Sequence, residues 1–287
     1  METETVPFSL LGAGARRLAL CLVLCLLALV VSGPASAQER VVVVSDTWMP
    51  YSGVPGSTHE GYAVEILRAV FERRGFAVDY QRLPRKRAVS DVRSGQADIL
   101  IGVTLDEVPD FIFPKTSLGQ SDLCFFSKDF RWRFNGRESL EGVVTGYIQG
   151  HDYPQWFMDD VKLHPERFHA LHGEDATERL LAMLDEGRVQ VIPGSRAVIG
   201  YYAQKADLQY RMVQAGCSHE DARDLYFGLT PANTPRSRLL ADILDQGVHT
   251  LRNTGQLNHL LIKYGLKDWI KVRPEQGSLV YGPNPGR

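Results

Sequence analysis

"DVRSGQADILIG" (residues 91–102) and "MLDEGRVQVIPG" (residues 183–194) are two versions of one unit. Each closes a helix on a glycine, Gly95 or Gly187, and then enters a short apolar strand. Glycine just past a helix is the usual cap, because it takes left-handed backbone without a Cβ penalty. A short apolar run bounded by such signals reads as a strand of parallel sheet buried on both faces. The likeness is architectural and is not a repeat array. It predicts two α/β lobes with a site between them.

Outward from the first unit, the chain keeps alternating. Residues 41–44 are four valines, a buried strand. Residues 63–74 carry Ala63, Ile66, Leu67, Val70 and Phe71 on one helical face, stopped by Gly75. Residues 76–80 alternate as a strand, and residues 87–94 fit a short helix ahead of Gly95. The order β-loop-α-β-α-β implies a parallel sheet. Around the second unit, residues 123–126 and 143–148 read as strands, the latter ending in Gln149-Gly150, with a helix from 152 or 154. Residues 176–186 form a helix with Leu180, Leu181 and Leu184 on one side, followed by a strand over 189–192. A further strand falls at 225–229, and amphipathic helices fall at 237–252 and 256–264. Gly119 reads as a turn, and the Pro- and Gly-rich tail from Val272 packs loosely.

The chain begins with a leader. Arg16-Arg17 precede an apolar run over 18–31, and Gly33-Pro34-Ala35-Ser36-Ala37 supplies a small-residue cleavage site. These are the parts of a signal peptide, removed after Ala37, and the run is too short for a stable membrane span. Charge is nearly balanced, 32 basic against 34 acidic residues. Removing the leader's Glu2, Glu4, Arg16 and Arg17 leaves that balance unchanged, so no basic field invites nucleic acid. Cys21 and Cys25 leave with the leader. Cys124 and Cys217 remain and are a candidate disulfide in an oxidising compartment. Neither belongs to a paired Cys/His pattern of the zinc-binding kind, so no metal is expected. His164, His169 and His172 read as a solvated segment. No hydrolase, zinc-protease or phosphate-loop motif occurs, and no cofactor is expected.

The first strand runs into "SDTWMPYSG", residues 45–53. Trp48 and Tyr51 there either plug the sheet end or wall a ligand site, and the residues alone favour the plug. Taken in order, "SDTWMPYSG", Gly61 with Glu65 in "GYAVEIL", "RSGQADILIG", "FIFPKTSLG", "SLEGVVTGYIQG", "LLAMLDEGRVQV" and "TGQLNHLLIKYG" resemble the family 3 extracellular solute-binding proteins, the periplasmic receptors of polar amino acid uptake systems. No single piece is specific, but the ordered set spans nearly all of the chain after the leader. The resemblance implies a two-lobe, periplasmic-binding-protein-like type II fold, each lobe a mainly parallel sheet flanked by helices. Lobe one is then 38–123 plus 229–287 and lobe two 129–224, with hinge crossings at 124–128 and 225–228. It also moves Trp48 to the ligand side of the question.

The same resemblance exposes a gap. Amino-acid binders of this type hold the substrate carboxylate with an arginine shortly after the first unit's strand, in a bidentate pair. Here residues 102–114 contain no Arg or Lys. The acid that holds the α-ammonium belongs in the second unit, where Gln190 and Ser195 stand instead. A zwitterion without counter-charges is poorly bound, so the ligand is expected to be a small polar solute other than an ordinary α-amino acid. Candidate contacts are Trp48, Tyr51, Thr104 and Arg87 on lobe one, the last chosen over Arg85 and Lys86. On lobe two they are Gly150, His151, Tyr153, Ser195 and Arg196, with Tyr147 as a further aromatic.

The leading expectation is a non-catalytic, monomeric periplasmic receptor that delivers its solute to a membrane permease. Ligand would stabilise the closed state by touching both lobes. A second reading is a module that signals to, or assists, another periplasmic protein. A third is a dehydratase-like enzyme, with His151, Glu107 or Asp152 as acid or base.

Overall fold

The computed structural model describes residues 38–270, apart from 152 and 174, so the leader and the tail from Val272 lie outside the described residues. The first part runs β1 (Arg40–Ser45), α1 (Tyr62–Phe71), β2 (Ala77–Arg82), α2 (Arg85–Arg93) and β3 (Ile99–Val103). The middle runs β4 (Gly119–Ser127), β5 (Thr145–Ile148), α3 (Gln155–Leu163), β6 (Phe168–Leu171), α4 (Ala176–Asp185), β7 (Val191–Gly194) and α5 (Arg196–Lys205). The long β8 (Val213–Leu229) then leads to α6 (Thr234–Asn253) and α7 (Gln256–Ile262).

The strands form one eight-stranded sheet in the order β2-β1-β3-β8-β4-β7-β5-β6. β2, β1 and β3 are mutually parallel, as are β6, β5 and β7. β4 is antiparallel to β7, and β8 lies between β3 and β4, antiparallel to each. Its end, Tyr226–Leu229, pairs with β3. Its remainder pairs with β4, from Gly119 opposite Leu225 to Ser127 opposite Val213.

Each half buries its own apolar face. Val41, Val43, Ile99 and Ile101 of the sheet pack with Ile66, Leu67 and Val70 of α1 and with Leu240, Leu244 and Leu251 of α6. In the other half, Leu180, Leu181 and Leu184 of α4 pack with Ile148, Ile192 and Ile199. Each such aliphatic side chain contributes about 1.5–3 kcal/mol on burial, which is why the apolar periodicity located these elements.

The doubled unit is real down to its polar position. Gly95 and Gly187 both take left-handed backbone, with φ of 81° and 75°. Asp98 and Gln190 occupy equivalent places before β3 and β7. The Asp98 carboxylate accepts the Val42 N–H at 2.8 Å, and the Gln190 amide oxygen accepts the Val144 N–H at 2.6 Å. Gln190 therefore ties strand starts together at the end of β7 opposite Ser195, and its identity says nothing about a ligand clamp.

Three segments differ from the sequence reading. Residues 213–224 belong to β8, although "VQAGCSHEDARD" has no apolar alternation. The β4 ladder holds them, with register shifts on either side of Cys124. Residues 196–205 form α5, burying Val198, Ile199 and Ala203 around the unhelpful Gly200. Residues 168–171 form the edge strand β6 within the stretch read as solvated, and His169 and Ala170 remain exposed. Gly119 opens β4 and is not a turn. A Cβ there would lie 2.8 Å from the Tyr62 hydroxyl. Cys124 and Cys217, the candidate pair, face each other across β4 and β8 and are disulfide-bonded.

One buried carboxylate predicts an acid response. Burial alone would raise the Glu60 pKa. The Arg68 guanidinium (2.6 and 3.0 Å) and the Gly56 N–H (2.7 Å) outweigh it and hold the carboxyl below its ordinary value of 4.5. A carboxyl lowered by folding adds stability that is full above its unfolded pKa and is lost as pH falls through the folded one. Urea midpoints between pH 6 and pH 3 should fall for the native sequence and fall less steeply for Glu60→Gln. Parallel curves for the two proteins would remove Glu60 from the acid response.

Candidate functional site

In open α/β sheets the ligand crevice lies beyond the carboxyl ends of the parallel strands, where strand order reverses. Here those ends are the segments after β1, β3, β5 and β7, on either side of β4 and β8.

After β1 the chain folds into a tight turn. The Trp48 N–H donates to the Ser52 carbonyl at 2.8 Å, and the Tyr51 N–H donates to the Trp48 carbonyl at 2.8 Å. Two buried serines brace it: Ser45 Oγ donates to Ser52 Oγ at 3.0 Å, which donates to the Asp46 carbonyl at 2.9 Å. The turn stacks Trp48 on Tyr51, with ring centroids 4.3 Å apart. The Trp48 indole also rests on Gly102, where a Cβ would come within 2.7 Å of Trp48 Cζ3. The closing glycine of the first unit thus seats the aromatic. Trp48 stays half-buried, whereas Tyr51 is only 1% exposed. Tyr51 reaches the other half of the sheet, donating to the Gln120 carbonyl at 3.2 Å. The Ser195 hydroxyl lies beside it without a well-formed hydrogen bond. Burial pushes the Tyr51 phenol well above its usual range, and nearby Asp122 adds to this while Ser195 opposes it.

The cations at these ends are engaged by the protein itself. Arg85 donates to both Glu107 oxygens at 2.8 Å, to the Gly102 carbonyl at 2.9 Å and to the Ile101 carbonyl at 3.1 Å. Arg196 Nη2 lies 2.8 Å from Asp122 Oδ2, and its backbone N–H donates to the other oxygen at 3.1 Å. Arg223 pairs at 2.9 Å with Asp106 on the turn after β3. Asp46 keeps a freer carboxylate, with Arg85 at 4.0 Å and its side chain 40% exposed.

The remaining candidates sort by surroundings. Arg87 points away, exposed, and pairs with Asp91 on its own helix. Thr104 Oγ1 accepts the Glu107 N–H at 3.4 Å and so caps its own turn. Gly150 has a φ of 90° and open space where a Cβ would stand. His151 is at the surface, its ring 6.5 Å from Tyr153, and desolvation of the ring lowers its pKa. The Tyr153 hydroxyl accepts the Ile148 N–H at 3.1 Å and fastens the loop to β5. Burial raises that phenol to about 12. Tyr147 is buried among Phe157 and Phe168. Asp152 lies outside the described residues.

Sequence reasoning missed Arg85 and Asp122. A signal for Arg85 exists: Ala88 and Val92 set the buried face of α2, and Arg85 is three residues before Ala88, whereas Arg87 falls on the other side. Asp122 has no such signal, since its partner Arg196 arrives from α5, a distant helix with no clear apolar spacing.

Similar solved structures share this architecture. Substrate-binding domain 2 of GlnP from Lactococcus lactis, in an open conformation, matches with a TM-score of 0.57 at 18% identity, covering 80% of this chain and 97% of that one. A histidine kinase sensor domain with similarity to periplasmic binding proteins matches with a TM-score of 0.55 at 20% identity, covering 79% and 96%. An ancestral amino acid-binding protein described as a precursor of cyclohexadienyl dehydratase matches with a TM-score of 0.56 at 15% identity, covering 79% and 95%. At these identities the likeness concerns the fold, which serves a transporter domain, a sensor and an enzyme lineage alike. A comparison with curated protein sequences finds no significant match. No helix among the described residues is long and apolar enough to cross a membrane. The family comparison covers the chain from β1 to just past α7: residues 41–267 match the bacterial extracellular solute-binding proteins, family 3, and the chain belongs to that family.

Proposed function

We propose that the protein is a periplasmic, non-catalytic receptor that closes two lobes on a small polar solute and delivers it to a membrane permease. The solute is neutral or cationic and lacks the free carboxylate of an ordinary α-amino acid. The observation that carries this is the engagement of Arg85, Arg196 and Arg223 by Glu107, Asp122 and Asp106. These three guanidiniums are spent on the protein's own carboxylates, whereas Asp46 and the Trp48 face are available to an amine or a hydroxyl-rich ligand. We take the lobes as β1–β3 with α6 and α7, and as β4–β7 with α3–α5. The pairing of Gly119 with Leu225 favours crossings at the start of β4 and near 225–228, so the first crossing falls earlier than 124–128.

A thermal-shift panel on the protein from Gln38 onward tests this, with amines, sugars, amides, organic acids and α-amino acids. A ligand at 100 times its Kd adds about 2.7 kcal/mol, a rise of roughly 5–10 °C for a chain of this size. A response confined to uncharged or cationic solutes is expected. A response to an ordinary α-amino acid overturns the ligand class. Silence across the panel favours the second reading, a module that signals to or assists another protein, which the fold's use in a sensor domain also supports.

A further inference from the structure

The disulfide has unusual company. Cys124 is fully buried in the apolar cluster under α4, while Cys217 is only partly covered. The Gln214 side-chain amide donates to Cys217 Sγ at 3.1 Å, and Arg196 Nη2 lies 3.8 Å from the same sulfur. Asp122 is the opposing charge described nearby, within 4.8 Å of both sulfurs; it shares Arg196 Nη2 with Cys217, so the Gln214 amide is the closer donor to the sulfur. Donors and cations beside a sulfur stabilise its thiolate more than its disulfide, and stabilising the reduced form makes a bond easier to reduce. The β4–β8 ladder breaks register on both sides of the pair, between Ser121 and Leu123 and between Phe125 and Phe126.

We infer that Cys124–Cys217 is a thiol-exchange site that reacts with a dithiol or with glutathione, with Cys217 as its point of entry. The incoming thiolate attacks Cys217 Sγ, the S–S bond breaks, and Cys124 leaves and takes a proton as a buried thiol. A second thiol then attacks the mixed disulfide, releasing Cys217 as a thiolate held by Gln214 and Arg196. The protein gains two electrons, and the two external thiols become one disulfide. Because β4 and β8 join the two halves of the sheet, the reduced protein differs where the halves meet.

The test equilibrates the native protein in glutathione buffers and counts trapped thiols by mass spectrometry, with near-UV circular dichroism as the fold readout. Reduction while the near-UV signal stays native is expected. Gln214→Leu should lower the equilibrium constant for reduction about tenfold, equivalent to about 30 mV. In Cys124→Ser, alkylation of Cys217 should reach half its maximum rate below the ordinary thiol pKa of about 8.5. Reduction only on unfolding, a Cys217 titrating at or above that value, or a Cys124→Ser chain that will not fold would each overturn the proposal. In the last case the bond is a structural staple. Each readout is independent of the identity of the solute.

Discussion

Tyr51→Ala should destabilise the protein by about 3–5 kcal/mol in urea unfolding, the range for truncating a large buried aromatic. Tyr51 is among the largest fully buried side chains. It stacks on Trp48, lies 5.2 Å from the Tyr62 ring and donates across the sheet to Gln120. Removing the ring leaves a cavity beneath Trp48 and an unmatched carbonyl. Tyr51→Phe keeps the ring and loses one hydrogen bond, so about 0.5–1.5 kcal/mol is expected. The two variants together separate packing from polarity. If Tyr51→Ala costs less than Tyr51→Phe is expected to, Tyr51 is not the support of the turn. The alanine variant should also lose its response to any solute found for the native protein, because Trp48 no longer has a fixed pose.

Gly61→Ala should cost about 4 kcal/mol or more, with failure to fold as the extreme. Gly61 sits at φ 102°, and a Cβ there would collide with the Tyr51 carbonyl and come within 2.6 Å of the Ser52 backbone. These are backbone atoms and have no rotamer by which to retreat. The close approach has a purpose: α1 has no side-chain cap, and the turn's own carbonyls serve instead. The Tyr62 N–H donates to the Pro50 carbonyl at 2.9 Å, and the Ala63 N–H donates to the Tyr51 carbonyl at 3.2 Å. Moving the turn outward would strand helix N–H groups that must otherwise be satisfied. Gly75→Ala is the control. Its φ is 84° but nothing lies within 4 Å of a Cβ, so only the left-handed penalty of about 1–2 kcal/mol applies. Equal losses at the two positions would show that backbone angle, not crowding, decides Gly61.

Much of the fold was legible because apolar spacing and glycine caps are local signals. The two helix–glycine–strand units announced themselves, and the core faces of α1 and α4 followed from residues such as Ile66 and Leu180. What stayed hidden is held by partners distant in sequence. Residues 213–224 are extended because β4 pairs with them, and their polar side chains carry no pattern of their own. The site was less legible for the same reason. Whether Arg196 is free or spent depends on Asp122, seventy-four residues earlier, and spacing along one chain cannot report that. Gln190 shows the converse error. A substitution read as a lost ligand contact is a backbone tie, visible only once its match to Asp98 is seen in space.

The shared strand β8 has a consequence for how the chain assembles. β3 meets its antiparallel neighbour only at Tyr226–Leu229, and the first core is completed by Leu240 to Tyr264. A chain emerging from its amino end therefore exposes β1–β3 and the apolar face of α1 until nearly the whole sequence is out. The intervening segment, with β4 to β7 and α4, holds most of its own partners and can condense earlier. Such long-range closure slows folding and leaves apolar surface uncovered meanwhile. The half that begins the sequence is thus the half that finishes last, and a truncation before Tyr226 should leave β3 without its antiparallel neighbour.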